Sequence, residues 1–354
     1  MSNTRMYKTG DNMKALVTIE PEKPQREERP VPVITEKQAL VEVLYVGVCG
    51  SDVHIYYGKH PFVGPECYPL VQGHESVARV VKTGDAVKNV KEGDYITVMP
   101  QIFCGTCEMC RTGNIHICEK LEVLGCQRDG LLSTYFAVDA NLLLKIEETD
   151  DLLAMTLIEP LAVAVGGVRK LGSIAGKRVL VYGAGVIGNL TAQVLKVAGA
   201  REVAIADLSK YRVDLAVNQC GIDTGINIPD VSPEDEAAVF GGFDAVMECV
   251  GVENTLRSAI INAKKNAKII VMGVFGKETT IPMALVQDRE LKIEGSLMYE
   301  EEDFTAAIDY IRKDAVNVRA LIFDTYAFSD SEKVYEFIAG NKEKALKVIV
   351  DMKK

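Results

Sequence analysis

Four cysteines fall within fifteen residues as Cys104-x2-Cys107-x2-Cys110-x7-Cys118. Four thiolates so spaced close a tetrahedral zinc site, and the metal then folds a loop that has no core of its own. An iron–sulfur cluster is the metal alternative, but its common spacings differ and bring Pro after the last Cys, where this chain has Glu119. With every position taken by a thiolate, such a zinc is structural. A second set is dispersed: Cys49-Gly50-Ser51-Asp52-x-His54, then Gly73-His74-Glu75, then Glu159-Pro160. Taken singly these residues are ordinary, since Cys is common in cores and carboxylates normally face water. Together Cys49, His74 and Glu75 offer one thiolate, one imidazole and one carboxylate. With Zn²⁺ they sum to zero formal charge and leave a fourth position, which a Lewis acid acting on a neutral alcohol requires. Glu159 either ligates directly, which closes the site, or acts through water; water-mediated or exchanging contact is expected, because a closed site cannot polarise an alcohol.

A third signal is Gly183-Ala184-Gly185-Val186-Ile187-Gly188, which follows an apolar strand pattern and opens a helical one. In that context the glycines let the backbone approach a pyrophosphate at the positive end of the helix. Asp207, 19 positions after Gly188, closes the next strand pattern and is placed to accept the adenosine ribose hydroxyls. Its charge repels a 2′-phosphate and favours NAD over NADP, although Arg212, five residues on, leaves NADP open. Val250 and Gly273 are further cofactor candidates.

The elements that must position these groups are legible in the apolar spacing. Short alternating or apolar runs at residues 39–48, 77–81 and 95–98, punctuated by Gly, Pro and Asp, predict strands and turns in the first part of the chain. From residue 177 strand and helix alternate: 178–182, 186–198, 203–206, then 245–247, 255–261, 269–272 and 291–293. That alternation predicts a doubly wound parallel sheet. A helix at 301–312 and a final strand at 346–350 follow, so the tail is expected to rejoin the first domain. The 354 residues exceed the ~250–300 at which one core stops growing, so two domains are expected.

Composition narrows the partners. Lys plus Arg total 40 against 50 Asp plus Glu, a net charge of −10, which disfavours nucleic acid and anionic membrane. The apolar stretches 152–168 and 179–200 are interrupted by Glu159-Pro160 and by Asn189, Gln193 and Lys196, too polar for spans of ~20 residues. Residues 1–14 carry no apolar signal segment, so a cytoplasmic location is expected. Nine cysteines, an odd count in a long chain without such a signal, argue for metal ligation over a disulfide framework.

These residues resemble the zinc-containing medium-chain alcohol and polyol dehydrogenases, from about Met13 to the end of the chain. Residues 73–87 are similar to the family's zinc signature GHE-x2-G-x5-G-x2-V, with Gly84 and Val87 in place and Ala78 where the pattern has Gly. The four clustered cysteines resemble its structural-zinc lobe, and Glu248-Cys249-Val250-Gly251 resembles the E-x-x-G that ends its fourth cofactor strand. Ser51, Glu75 and Glu159-Pro160-Leu161 resemble the sorbitol, idonate and hexonate 5-dehydrogenase branch. Two positions depart from it: Gly166 stands where His is common, and Gln127 replaces His in a G-V-H-x-D-G segment.

The resemblance implies an α/β fold in which a partly β-barrel-like (GroES-like) catalytic domain of residues 1–162 and 300–354 carries an inserted Rossmann domain of residues 163–299. The active site is expected between them, with one catalytic and one structural zinc and NAD as cofactor. The implied reaction is hydride transfer from a secondary alcohol carbon of a polyol or sugar acid, with Ser51 taking the proton, His54 passing it on and Asp52 orienting His74. Tyr57, Phe62, Arg128 and Tyr299 are the pocket candidates by position, and only Arg128 is suited to a substrate carboxylate. A homodimer or homotetramer is expected. Rival readings are a vicinal-diol or threonine 3-dehydrogenase, a zinc-free quinone or enone reductase, and a non-catalytic dinucleotide-binding protein.

Overall fold

The computed structural model describes residues 12–231 and 241–354; most of the polar stretch 1–14 lies outside the described residues. The chain divides into two compact units. One comprises Met1–Glu159, Asp324–Asn341 and Lys347–Lys354, the other Pro160–Phe323 and Lys342–Leu346.

The first unit is built on the strand Gln38–Val48, eight of whose eleven residues are buried. It pairs antiparallel with Glu75–Thr83 on one edge and Lys347–Asp351 on the other, and Tyr135–Asp139 also pairs with it. Register breaks between Leu40 and Val41 and between Val43 and Tyr45 add local twist, which curls the sheet. The register sets Gly47 opposite Glu75 on one side and Val48 opposite Val348 on the other, so the start of the last strand lies across Gly47 from Glu75.

The second unit holds a six-stranded parallel sheet in the order Thr224–Asn227, Glu202–Asp207, Arg178–Tyr182, Phe243–Glu248, Ala263–Val271, Lys292–Gly295. Val179, Leu180 and Val181 are fully buried, as expected of a central strand covered on both faces. Strand order reverses at Arg178–Tyr182, so the crevice for a ligand opens at the Gly183 end of that strand.

The strands and helices fall where the apolar spacing puts them, but the return to the first unit comes at Asp324 rather than at residue 300. The helix Glu301–Arg312 belongs with the second unit because Asp303 accepts two hydrogen bonds from Arg169, at 3.0 and 3.1 Å. Asn317 continues the attachment, donating its backbone N–H to the Gln193 side-chain oxygen at 2.6 Å and its side-chain amide to the Gln219 carbonyl at 3.0 Å. Residues 342–346 also sit with the second unit. Among the described residues no helix is long and apolar enough to cross a membrane.

Candidate active site and cofactor cradle

Cys49 precedes the short helix Gly50–Tyr56, and its N–H donates to Asp52 Oδ2 at 2.8 Å, which fixes the turn that presents the thiol. Asp52 is wholly buried and also accepts from Gly73 N–H at 3.2 Å, tying the Cys49 turn to the segment that carries His74. Gln72 adds a second tie, donating to the Asp52 carbonyl at 2.8 Å while accepting from Thr18 at 2.7 Å. Cys49, His74 and Glu75 thereby bring ligand atoms within 4.8 Å of one another. A thiolate, an imidazole and a carboxylate so close, and largely out of water, suit a zinc ion with one position left for an exchangeable ligand.

Asp52 Oδ1 lies 3.7 Å from His74 Nδ1, which is charge contact rather than a hydrogen bond. Burial opposes a charged His74, but Asp52 and the Cys126 and Cys49 sulfurs raise its pKa well above 6.5. Burial likewise pushes Asp52 above 3.8, against the pull of His74 and the Cys49 N–H. Cys126, within hydrogen-bonding reach of His74, was not singled out by the sequence motifs.

Glu75 has a second partner that those motifs missed. Lys347 Nζ donates to both carboxylate oxygens, at 2.6 and 2.5 Å, and to the Val48 carbonyl at 3.2 Å. Both side chains are buried, at 2% and 0% exposure. Burial disfavours the ammonium, but the charges of Glu75 and Cys49 outweigh it and raise the Lys347 pKa above 10.5. Gly47 makes room for the pair: a Cβ there would sit 2.3 Å from Glu75 Oε2. The one available signal was a lysine heading the otherwise apolar run 347–350.

Glu159 is 7% exposed near the start of the helix Ile158–Lys170 and acts on the charge of Lys347, but it lies outside the group of three ligand atoms. Ser51 and His54 stand one turn apart on the helix Gly50–Tyr56, with His54 exposed.

Of the pocket candidates, Tyr57 ends that helix with the Lys59 ammonium 5.4 Å from its ring centre, and Phe62 is 68% exposed. Arg128 is engaged in an exposed ion pair, with Nε 2.7 Å from Glu122 Oε2. Tyr299 is buried in the second unit, edge-on to Phe304. The two departures from the branch pattern have structural replacements. Gln127 bonds Val123 N–H and the Phe62 carbonyl, each at 3.0 Å, and a side chain at Gly166 would place its Cβ 2.9 Å from Asp303 Oδ2.

Cys104, Cys107, Cys110 and Cys118 bring their sulfurs within 4.8 Å of one another. Backbone N–H groups point at the sulfurs: Cys107 to Cys104, Cys110 to Cys107, and both Cys104 and Lys120 to Cys118, at 3.3–3.4 Å. The N–H groups of Thr106 and Cys107 lower the Cys104 thiol to about 5, which favours the thiolate a metal needs. The donor set and its hydrogen bonding fit a closed zinc site.

In the second unit Gly183 has φ +96°, and a Cβ on it would fall 2.7 Å from Val250 Cγ2. A Cβ at Gly188 would fall 1.7 Å from the Gly183 carbonyl oxygen, so the turn closes only with glycine. Gly185 instead faces open space, with Arg212 Nη1 the nearest atom at 4.0 Å, and Val186 and Ile187 begin the helix Val186–Val197 beside it. This cradle fits a pyrophosphate. Asp207 accepts from Ala184 N–H at 2.7 Å and Ser209 N–H at 2.8 Å, which anchors it at the strand end. Glu248 accepts from the N–H groups of Val250 and Gly251, and Gly273 packs against Gly251 where a Cβ would be 2.0 Å from its nitrogen.

Residues 35–148 match the alcohol dehydrogenase GroES-like domain, and residues 186–313 match the zinc-binding dehydrogenase domain. D-xylulose reductase A of Aspergillus niger is 32% identical over 326 residues, covering 89% of this chain and 90% of the relative. The chain belongs to the zinc-containing medium-chain alcohol and polyol dehydrogenases. Among solved structures, L-idonate 5-dehydrogenase of Escherichia coli K-12 has a TM-score of 0.90 at 26% identity, covering 97% of this chain and 99% of that one. An alcohol dehydrogenase of E. coli CFT073 complexed with NADH has a TM-score of 0.90 at 28% identity, covering 97% and 100%.

Proposed function

We propose that the protein oxidises a secondary hydroxyl of a polyol, or reduces the corresponding ketose, using zinc and NAD. The observation that carries this reading is the largely buried set Cys49, His74 and Glu75, a thiolate, an imidazole and a carboxylate that suit zinc and leave one position for an alcohol. When bound, zinc supplies the Lewis acid and NAD the hydride acceptor. Ser51 accepts the substrate hydroxyl proton, and His54, one turn on and exposed, hands it to water. Asp52 holds the Cys49 turn and the His74 segment in place through its two N–H contacts. Glu159 would contact the catalytic zinc through water or by exchange and not as a fixed ligand, and the four clustered cysteines would hold the structural zinc.

Asp207 selects NAD by binding the ribose hydroxyls and repelling a 2′-phosphate. The ion pair of Arg128 Nε with Glu122 favours a neutral polyol over a sugar acid, because a substrate carboxylate there would compete with Glu122 for the guanidinium. Similarity to a D-xylulose reductase points the same way. Exposed Ile293 and Leu297, on and beside the edge strand Lys292–Gly295, support a homodimer or homotetramer. A cytoplasmic location fits the predominance of free, metal-suited cysteines.

The test is a panel of pentitols, hexitols, aldonates, vicinal diols, threonine and primary alcohols with NAD⁺. Turnover of polyols above all others is expected. Turnover of primary alcohols alone, or of threonine or simple diols above polyols, refutes the substrate class.

A further inference from the structure

The segment Lys342–Leu346 is flanked on both sides by chain of the first unit, yet it belongs to the dinucleotide-binding unit. It is held there by Arg212, whose Nε donates to the Glu343 carbonyl at 3.0 Å and whose Nη2 donates to the Lys342 carbonyl at 2.5 Å. A third bond runs from the Ser209 hydroxyl to the Glu343 carboxylate at 3.2 Å. Ser209 also gives its N–H to Asp207. One serine therefore carries a carboxylate on each of its two donors, one from the end of the ribose-facing strand and one from the far end of the chain.

We propose that Glu343 is a second specificity residue for the cofactor, excluding the 2′-phosphate of NADP alongside Asp207. It rests on the assignment of Asp207 to the adenosine ribose. A 2′-phosphate needs donors and positive charge where it lands. Here the Ser209 N–H and hydroxyl are both taken by carboxylates, and Arg212 spends Nε and Nη2 on backbone carbonyls while Nη1 faces the Gly185 turn. Two of the neighbouring ammonium groups are engaged as well. Lys210 pairs with Asp214 at 2.8 Å, and Lys344 lies 5.9 Å from the centre of the Tyr211 ring. The tail segment thus adds an anion to this corner and occupies its guanidinium. Glu343 bonds Ser209, on the Asp207 side of this corner, so its charge acts most strongly on a 2′-phosphate and more weakly on the pyrophosphate that both cofactors share.

Glu343→Gln keeps the shape and the acceptor oxygen for Ser209 while removing the charge. The experiment is calorimetric titration of the zinc-loaded full-length protein with ADP-ribose and with 2′-phospho-ADP-ribose, for the wild type, Glu343→Gln, Asp207→Ser and the double variant. Glu343→Gln should tighten the 2′-phosphorylated ligand about tenfold at low salt, less at high salt, and change ADP-ribose by no more than about twofold. Asp207→Ser should weaken ADP-ribose, and the double variant should bind the 2′-phosphorylated ligand more tightly than either single one. Equal shifts for both ligands, or none for the phosphorylated one, overturn the role of Glu343 while leaving NAD preference standing. A wild type that prefers 2′-phospho-ADP-ribose overturns the NAD assignment, and this proposal with it.

Discussion

Replacing Lys347 by Met removes a buried ammonium from between three acceptors. The two Glu75 oxygens at 2.6 and 2.5 Å and the Val48 carbonyl at 3.2 Å lose their donor, with neither side chain of the pair more than 2% exposed. Methionine fills a similar volume, so the cost is electrostatic. Removing one member of a buried pair costs ~3–5 kcal/mol, because the other charge is left uncompensated. The metal changes that figure in a predictable direction. A zinc ion beside Glu75 supplies the positive charge that Lys347 supplied, and Lys347 itself repels the ion. The stability deficit should therefore approach ~3–5 kcal/mol with the Cys49 site stripped by mild chelation, and be smaller with zinc restored. By the same linkage the variant should hold zinc at that site more tightly than the wild type. Urea unfolding in both metal states, with competitive zinc titration, reads both effects. A loss below ~1 kcal/mol in both states, with unchanged zinc affinity, refutes the coupling of Lys347 to the metal site through Glu75.

Metal analysis should find close to two zinc per chain, and Cys107→Ser should retain only the one at Cys49, His74 and Glu75; iron, or a single zinc in the wild type, contradicts the donor sets. Glu159→Gln should lower kcat while keeping both metals, and loss of one zinc would make Glu159 a required ligand. Arg178 donates to both Glu202 oxygens, at 2.7 and 2.9 Å, and holds the Glu202 pKa below its ordinary 4.5. That pair's stabilisation is complete above pH 4.5 and fades as pH falls through the depressed value, so Glu202→Gln should flatten the acid limb of Tm against pH. Parallel Tm curves for the two proteins would show that the pair contributes nothing.

The parts legible in the sequence are the local ones. The turn from Tyr182 through Gly188, the four-cysteine lobe and the Cys49 turn each complete their geometry within a few residues, so spacing alone carries them. Lys347 was missed because its role depends on which strands pair: Val348 sits opposite Val48, beside Gly47 and Glu75, through sheet register and not sequence distance. The helix Glu301–Arg312 was visible in its apolar period, but its domain depended on Arg169 reaching Asp303 across 134 residues. Gly166 and Gln127 read as lost contacts in one dimension. In three, Asp303 fills the space at the first, and the second braces Val123 against the Phe62 loop. The place of Arg128 beside a motif marks it as a pocket candidate but does not disclose Glu122, six residues earlier, as its partner.

The most direct test is Cys49→Ser, assayed together for zinc content, polyol-dependent NAD⁺ reduction and ADP-ribose binding. One zinc per chain, no NAD⁺ reduction and wild-type ADP-ribose affinity are predicted, since the thiolate belongs to the first unit and the cofactor cradle to the second. Two zinc per chain with NAD⁺ reduction at the wild-type rate would contradict the assignment of Cys49, His74 and Glu75 as the catalytic metal site.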